Sequence, residues 1–307
     1  MLDFCLLGTG GMTPMPNRWL TSLMVRCSGS DILVDCGEGT QIAMKEAGWS
    51  PKSIDIICFT HFHADHIAGL PGMLLNIANA DRTEPLIMVG PKGLFNVTKS
   101  LRCIAPDLPY ELRFVELDQE TEQYRIGTYT VSCFRVKHNL PCYGYSFYVP
   151  RNGRFNPERA MELEIPMEYW NRLQKGETVE DKKRKRIFTP DMVLGPERKG
   201  LKLTYSTDTR PCENLRAAAS GSDVLIAEGI YGEEGSEEKA RAYKHMTMRE
   251  AAQLAASCDE LPGELIFTHY SPSMLHPKQY LDEIRKIFPN AVCGKDGMVR
   301  ELSFTED

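Results

Sequence analysis

Short apolar runs, closed by Gly, Pro, Asn or Asp, alternate with longer segments along most of the chain. Runs of this length that are rich in β-branched and aromatic residues are typical of strands. Ten strands are predicted, at Phe4–Leu7, Leu23–Cys27, Asp31–Asp35, Ile54–Phe59, Leu86–Val89, Thr128–Val136, Tyr145–Val149, Leu201–Tyr205, Asp223–Ala227 and Leu265–Thr268. Four helices are predicted, at Thr40–Ala47, Ile67–Ala80, Thr247–Ser257 and Pro277–Ile287. The alternation of the two element types predicts an α/β fold.

Residues 151–200 interrupt this alternation. The segment is polar, highly charged and poor in strand signal. A stretch of this length without regular structure inside a compact domain is usually functional or disordered. It contains five consecutive cations, Lys182, Lys183, Arg184, Lys185 and Arg186. For an isolated charge run, the simplest interpretation is a solvated hairpin tip.

Composition places the chain among soluble globular proteins, with 42% apolar and 25% charged residues in a length of 307. No apolar run approaches the roughly 18–20 residues that a membrane span requires. The segment Met-Leu-Asp-Phe at the N-terminus has an acid where a signal peptide has basic residues. We therefore expect a cytoplasmic protein that does not interact with membranes.

Ten cysteines are spread over the chain, and no two have the Cys-x-x-Cys spacing of a zinc clasp or redox motif. We expect them to be buried, reduced thiols, so that any metal would be held by His and Asp. The net charge of −6 argues against a nucleic-acid partner. The charge is uneven, however, because residues 172–202 contain ten Lys and Arg against five Asp and Glu.

Three of the seven histidines lie in one hexapeptide, His61-Phe-His63-Ala-Asp65-His66, between a predicted strand and a predicted helix. Side chains two residues apart on an extended chain point the same way, and the turn that follows directs Asp65 and His66 to a second point. Histidine is the commonest metal ligand in proteins. One short segment is therefore predicted to bind two cations.

Three further candidate ligands, His138, Asp208 and His269, each follow a predicted strand. The carboxyl ends of strands in α/β sheets form the ligand crevice, so these residues are expected to meet the hexapeptide there. Taken alone, a histidine after a strand is more often a satisfied surface or core group. Two metals about 3.5–4 Å apart activate water for attack at phosphorus. Imidazole and carboxylate without thiolate suit zinc or manganese, and zinc is preferred.

The hexapeptide resembles the signature of the metallo-β-lactamase superfamily, and the order of motifs over nearly the whole chain is similar to its ribonuclease Z branch. The other motifs are Gly8-Thr-Gly10, Asp35-Cys-Gly-Glu-Gly-Thr-Gln41, Val136-Lys-His138 with Gly144-Tyr145, Ser206-Thr-Asp208-Thr209, Ala227-Glu228, Lys244-His245-Met-Thr247 with Ala251-Ala252, and Phe267-Thr-His269. The resemblance implies a four-layer αββα sandwich forming one domain over residues 1–307. It implies that residues 151–200 are an inserted basic arm or lid.

The activity implied by the resemblance is endonucleolytic removal of the 3′ trailer of precursor tRNA, with two zinc ions as cofactors. The implied ligands are His61, His63 and His138 for one ion, Asp65, His66 and His269 for the other, and Asp208 between them. Manganese is the alternative to zinc.

Four residues have further roles implied by the resemblance. Asp65 would orient the attacking hydroxide as a base, while Glu228 and His245 would donate a proton to the leaving 3′ oxygen. Asp35 would fix a ligand histidine from behind, although a simple turn residue is an equally good interpretation. His276 receives no role.

The arm is where the resemblance is least complete. Lys175-Gly-Glu-Thr-Val179 is similar to part of the arm that clamps the tRNA elbow, which implies that Lys182–Arg186 contact RNA. The resemblance also implies a homodimer in which the arm of one subunit serves the site of the other. Met167-Glu168, however, stands where the arm has Gly-Pro, the loop after Pro14 differs from the Pro-x-Lys-x-Arg-Asn form, and no arginine follows His269.

Two other functions remain open from the sequence. The first is a small-molecule phosphodiesterase or sulfate-ester hydrolase of the same fold, and the second is a catalytically silent metal- or RNA-binding protein. A nucleotide cofactor is not expected. Gly8-Thr-Gly10-Gly11 with Asp35 faintly resembles a dinucleotide fingerprint, but Pro14 and Pro16 follow where that motif requires a helix.

Overall fold

The computed structural model of the protein describes residues 2–304. Contacts divide the chain into two compact units. Unit 1 comprises Met1–Val149 and Lys202–Asp307, and unit 2 comprises Pro150–Leu201. Every helix in residues 2–304 is too short or too polar to span a bilayer.

The first sheet of unit 1 has seven strands. They are β1 (Leu2–Gly8), β2 (Ser22–Cys27), β3 (Ser30–Val34), β4 (Ile54–Cys58), β5 (Leu86–Pro91), β6 (Leu112–Leu117) and β16 (Met298–Leu302). Their order in space is β16-β1-β2-β3-β4-β5-β6. Strands β3 to β6 pair in parallel, while β16, β1, β2 and β3 pair antiparallel. The parallel part places the carboxyl ends of β3, β4 and β5 at one edge.

The second sheet also has seven strands. They are β7 (Thr121–Ile126), β8 (Tyr129–Val136), β9 (Cys142–Arg151), β12 (Arg198–Ser206), β13 (Val224–Glu228), β14 (Glu264–Thr268) and β15 (Ala291–Cys293). The order is β15-β14-β13-β12-β9-β8-β7, and β12 to β15 run parallel. Every residue of β1 and of β13 is buried, as expected for strands covered on both faces. Tyr145 links the two sheets, because its hydroxyl donates to the carbonyl of Phe59 at 2.6 Å.

Helices cover the outer face of each sheet and complete four layers. Those of unit 1 are α1 (Thr40–Glu46), α2 (Ala64–Ile67), α3 (Leu70–Asn79), α4 (Leu94–Leu101), α7 (Glu213–Ala219), α8 (Glu237–Ala242), α9 (Met248–Ala256) and α10 (Leu281–Arg285). Side chains of α1, α3 and α4 share a buried cluster with the first sheet. Those of α7, α9 and α10 share one with the second. The predicted αββα sandwich is therefore confirmed.

Unit 2 is regular where the sequence suggested little regular structure. It contains α5 (Pro157–Glu162), α6 (Met167–Gln174) and a hairpin of β10 (Val179–Asp181) with β11 (Arg186–Phe188). It also has its own small core, formed by Ala160, Ile165, Leu173, Val179, Phe188 and Val193. The low apolar content of the segment hid these elements, because a core this small needs few apolar residues. The function of the segment as an arm or lid stays a prediction.

All ten predicted strands are present, whereas the helix predicted at Ile67–Ala80 is wrong in detail. The chain forms α2 and α3 instead, with a turn at Ala68 and Gly69 between them. Gly69 packs against the backbone of Gly37, where a Cβ would lie 2.2 Å from the carbonyl oxygen. Strands β6, β7 and β16 were missed because they lie at sheet edges and consist almost entirely of exposed and half-buried residues over short lengths.

Candidate metal centre

The predicted ligands lie just beyond the carboxyl ends of strands from both sheets. Strand β4 leads into the hexapeptide, β8 precedes His138, β12 precedes Asp208 and β14 precedes His269. Helix α2 begins at Ala64, so the hexapeptide changes from extended to helical after His63. This change directs the first two histidines to one point and Asp65 and His66 to another.

The first group contains three histidines and Asp208. His63 Nδ1 lies 2.8 Å from His61 Nε2 and 3.2 Å from His138 Nε2. Asp208 Oδ2 lies 3.6 Å from His61 Nε2 and 3.8 Å from His138 Nε2. The four donor atoms therefore face one small volume.

The second group shares Asp208 with the first. His66 Nε2 and His269 Nε2 are 3.2 Å apart, and Asp65 Oδ2 lies 3.3 Å from His269 Nε2. Asp208 Oδ1 lies 3.2 Å from His66 Nε2 and 3.1 Å from His269 Nε2. The structure thus brings all seven predicted ligands together, with one oxygen of Asp208 facing each group. Their role as ligands stays a prediction.

These donor atoms fit a pair of divalent ions. Asp208 is buried, and its Oδ1 faces the Nε2 atoms of His66 and His269 without forming a well-directed hydrogen bond with any described residue. A buried carboxylate oxygen that lacks a hydrogen-bond donor is costly unless a cation meets it. Two nitrogen ligands on a tetrahedral zinc, each at ~2.0–2.1 Å, lie about 3.3 Å apart. The nitrogen–nitrogen separations of 2.8–3.2 Å are close to that value.

Electrostatics at the centre favour cation binding. Burial lowers the pKa of His61 well below its usual value, which keeps the ring neutral as a ligand must be. Burial also lowers the pKa of His66. The carboxylates of Asp208 and Asp35 outweigh this effect and raise the pKa of His66 well above its usual range. The carboxylates around His66 thus attract positive charge, which a metal ion also supplies.

Asp35 lies behind the second group, as the sequence suggested. It is fully buried, and its Oδ2 contacts His66 Nδ1 at 2.8 Å. Its Oδ1 accepts the backbone N–H of Thr60 at 2.8 Å. The Thr60 hydroxyl also lies 3.0 Å from His61 Nδ1. Thr60 thus links Asp35 to both ligand groups. Sequence reasoning missed it, although it directly precedes the hexapeptide.

Backbone atoms contact two of the seven predicted ligands, Asp65 and His138. Met12 donates its N–H to Asp65 Oδ2 at 2.6 Å, and the Lys244 carbonyl accepts from His138 Nδ1 at 3.2 Å. The segment before Met12 approaches closely, since a Cβ on Gly11 would lie 2.5–2.7 Å from the ring of His269. These contacts carry no signal in the sequence, because any residue type offers the same backbone groups.

Glu228 and His245 form a pair beside the two groups. His245 Nδ1 lies 2.9 Å from Glu228 Oε2, and Thr209 donates its backbone N–H to Glu228 Oε1 at 2.6 Å. Burial opposes protonation of His245, but the carboxylate of Glu228 raises the pKa of His245 to about 9. Because Nδ1 faces Glu228, Nε2 is the nitrogen left to exchange a proton with a bound substrate.

The predicted RNA-contacting cations lie in unit 2. Residues 182–185 form the turn between β10 and β11, and Lys182–Arg186 are all exposed. The carboxylate of Asp181 accepts the backbone N–H groups of Lys183 and Arg184. The Arg184 guanidinium donates to the Glu164 carbonyl at 2.8 Å. The segment is therefore a hairpin tip, and its contact with RNA stays a prediction.

Comparison with known proteins covers the full length. The chain is 55% identical over 307 residues to the ribonuclease Z of Lachnoclostridium phytofermentans, with 100% of both chains covered. Residues 2–164 match the family model described as anti-Pycsar protein Apyc1. The crystal structure of human tRNase Z, short form, superimposes with a TM-score of 0.70 at 22% identity, covering 98% of this chain and 100% of that one. The metallo-β-lactamase fold protein YhfI from Bacillus subtilis gives 0.69 at 17%, covering 97% and 98%.

Proposed function

Because the chain belongs to the ribonuclease Z family and, over residues 2–164, to that of the anti-Pycsar protein Apyc1, we propose that it is the dinuclear-metal endonuclease that removes the 3′ trailer of precursor tRNA. The observation that carries the proposal is the convergence of seven His and Asp side chains beside a buried Glu–His pair. Such a centre suits hydrolysis of a phosphodiester, which needs both an activated water and a protonated leaving group.

The cofactors we propose are two zinc ions, with manganese as the alternative. The donor set contains imidazole and carboxylate but no thiolate, which suits either ion. One ion would be held by His61, His63 and His138, the other by Asp65, His66 and His269, with Asp208 shared. When bound, the two ions supply a nucleophilic water at neutral pH and neutralise charge on the phosphate.

The protein's own groups would position that water and protonate the leaving oxygen. Asp65 is fixed by the N–H of Met12 and would orient the attacking water. His245 would donate its Nε2 proton to the leaving 3′ oxygen, while Glu228 holds the ring at Nδ1. General acid catalysis of this kind is typically worth ~10²–10⁴-fold.

The substrate proposal is tested with a precursor tRNA that carries a 3′ trailer. We expect cleavage at the base of the trailer in the presence of zinc or manganese, mapped by sequencing the new 3′ ends. Chelation, and the variant Asp208→Ala, should abolish it. An uncut trailer together with rapid turnover of small phosphate or sulfate esters would instead select the small-molecule hydrolase.

The proton donor is tested with substrates that differ in leaving group. His245→Ala should lower the kcat for precursor tRNA by about 10²–10⁴-fold, because an alkoxide leaves poorly without a proton. Hydrolysis of bis(p-nitrophenyl) phosphate should change little, because nitrophenolate leaves unassisted. A similar loss with both substrates would contradict the donor role.

Three further properties extend the proposal. Lys182–Arg186 would bind tRNA phosphates, which is supported by five exposed cations on a protein of net charge −6. The cytoplasm is the proposed location, since all ten cysteines are free thiols, as in reducing compartments.

A homodimer is implied by the family resemblance. Sedimentation of the purified protein tests it, and a monomer at micromolar concentration would exclude it.

A further inference from the structure

Arg210 connects three segments of the chain. One carries His245, the proposed proton donor, and the other two carry the proposed ligands His138 and Asp208. Its guanidinium donates to the backbone carbonyl of His245 and pairs with both carboxylate oxygens of Glu250. Its own N–H donates at 2.9 Å to the carbonyl of Lys137, which directly precedes the ligand His138. Only 14% of the Arg210 side chain is exposed. Three separate parts of the chain are therefore joined through one arginine.

The same arginine is coupled to Glu228 through its neighbour Thr209. The Thr209 hydroxyl donates to the Arg210 carbonyl at 2.8 Å, while the Thr209 N–H donates to Glu228 Oε1. The other oxygen of Glu228 contacts His245 Nδ1. His245 is thus held from two sides, with its ring against Glu228 and its backbone carbonyl against Arg210.

Glu250 fixes the guanidinium. It belongs to the capping box of α9, in which its carboxylate accepts the N–H of Thr247 at 3.0 Å and the Thr247 hydroxyl accepts the N–H of Glu250 at 3.2 Å. A capping box needs no arginine. A nearly buried ion pair is poor evidence for stabilisation, because desolvation offsets the attraction. The planar guanidinium of arginine, which forms bidentate hydrogen bonds, is instead suited to holding a partner in one orientation.

We propose that Arg210, fixed by Glu250, is a positioning residue that aims the ring of His245 at the leaving oxygen. The inference rests on the proposed function, since it requires His245 to be the proton donor. As water attacks phosphorus, a new P–O bond forms and the water gives up a proton to the carboxylate of Asp65, which releases it to solvent. The P–O3′ bond breaks and its electron pair goes to the 3′ oxygen, which takes the Nε2 proton. His245 is left neutral and is protonated again from solvent.

The proposal predicts a loss that depends on the leaving group. Arg210→Met should lower the kcat for precursor tRNA by about tenfold to a hundredfold, less than removal of the donor itself. The kcat for bis(p-nitrophenyl) phosphate should stay within about twofold, because its leaving group needs no proton. Arg210→Lys keeps the charge but not the bidentate contact, and should give an intermediate loss of kcat for precursor tRNA.

Arg216 provides a matched control. It also forms a bidentate ion pair with a glutamate, Glu213, and donates to the backbone carbonyl of Ser257. Arg216→Met should leave the ratio of the two activities unchanged. Metal content and the unfolding midpoint are measured for every variant. If Arg210→Met does not fold, Glu250→Gln is tested in its place by the same ratio.

The outcomes separate this inference from the proposed function. A selective loss in both His245→Ala and Arg210→Met supports the positioning role. A selective loss in His245→Ala with an equal loss, or none, in Arg210→Met overturns it and leaves the donor intact. Absence of selectivity in His245→Ala overturns the donor assignment, and the positioning role with it.

Discussion

At the scale of single residues, the metal centre concentrates unusual backbone conformations. Met12, Asp35, Lys244 and His269 have φ values of 71°, 59°, 63° and 57°. For residues other than glycine this left-handed region is uncommon, and each instance costs of order 1–3 kcal/mol. At the centre, each of these residues supplies a candidate ligand or a group that contacts one. The surrounding fold therefore imposes costly conformations at residues that supply or contact the candidate ligands.

Asp35 gives a direct test of this support. Its two oxygens meet His66 and the two donors of Thr60. An amide at this position has one acceptor oxygen instead of two, so one of these hydrogen bonds cannot form. Asp35→Asn should therefore weaken metal binding by about 10–100-fold, the usual effect of removing such a partner. Titration against a chromophoric chelator measures the affinity.

Asp31→Asn is the control, because Asp31 is a buried carboxylate on β3, the strand that ends just before Asp35, and it contacts Arg26 and Ser53. This variant should lose stability while its metal affinity stays unchanged. Equal affinities for the two variants and the parent protein would contradict the role given to Asp35.

At the scale of elements, the hairpin of unit 2 separates its structural residues from its free charges. Asp181 accepts backbone N–H groups of the turn, and Arg184 donates to the Glu164 carbonyl. Both residues hold the turn in shape. Lys182, Lys183 and Lys185 are exposed cations, and no described ion pair includes them. These lysines can therefore be altered with little effect on the hairpin.

Neutralising them tests RNA binding by this element. Lys182→Gln, Lys183→Gln and Lys185→Gln together should weaken binding of precursor tRNA. The slope of log K against log salt should also fall by about one for each phosphate that the protein no longer neutralises. Hydrolysis of bis(p-nitrophenyl) phosphate should not change, because a small ester does not reach beyond the metal centre. Equal loss of both activities would refute this division.

The matched control carries the same three substitutions at exposed lysines of unit 1, Lys45, Lys92 and Lys99. It changes the net charge equally but leaves the hairpin intact. An identical fall in affinity would mean that overall charge, and not this hairpin, determines RNA binding.

At the scale of the whole molecule, the metal centre ties together parts of the chain far apart in sequence. His66 and His269 are 203 residues apart, yet their Nε2 atoms are 3.2 Å apart. Only the folded state gathers these candidate ligands, so metal binding there should contribute to folding stability.

Removal of the metals should therefore lower the thermal unfolding midpoint. A ligand that binds only the native state stabilises it by about 2.7 kcal/mol when present at 100 times its Kd. Unfolding is followed by circular dichroism after dialysis against chelator, and zinc should restore the midpoint where magnesium does not. Identical midpoints with and without zinc would show that no such ion binds.

The sequence by itself was sufficient for the strands that carry the centre and for a candidate ligand set. Strands such as β4 and β14 consist mainly of apolar residues, three of them consecutive in each strand, so their signal is local. The hexapeptide is also local, because four candidate ligands in six residues are visible without a fold. The edge strands β6 and β16, half exposed and short, were not visible in this way.

Tertiary structure alone decided how these parts meet. The Lys244 carbonyl behind His138, the Thr60 hydroxyl against Asp35 and the guanidinium of Arg210 against His245 depend on contacts between separate segments. Backbone carbonyls are identical in every residue, and a threonine or an arginine has many possible partners. Sequence patterns report periodicity and local spacing, whereas these contacts arise only when the two sheets pack and their strand ends come together.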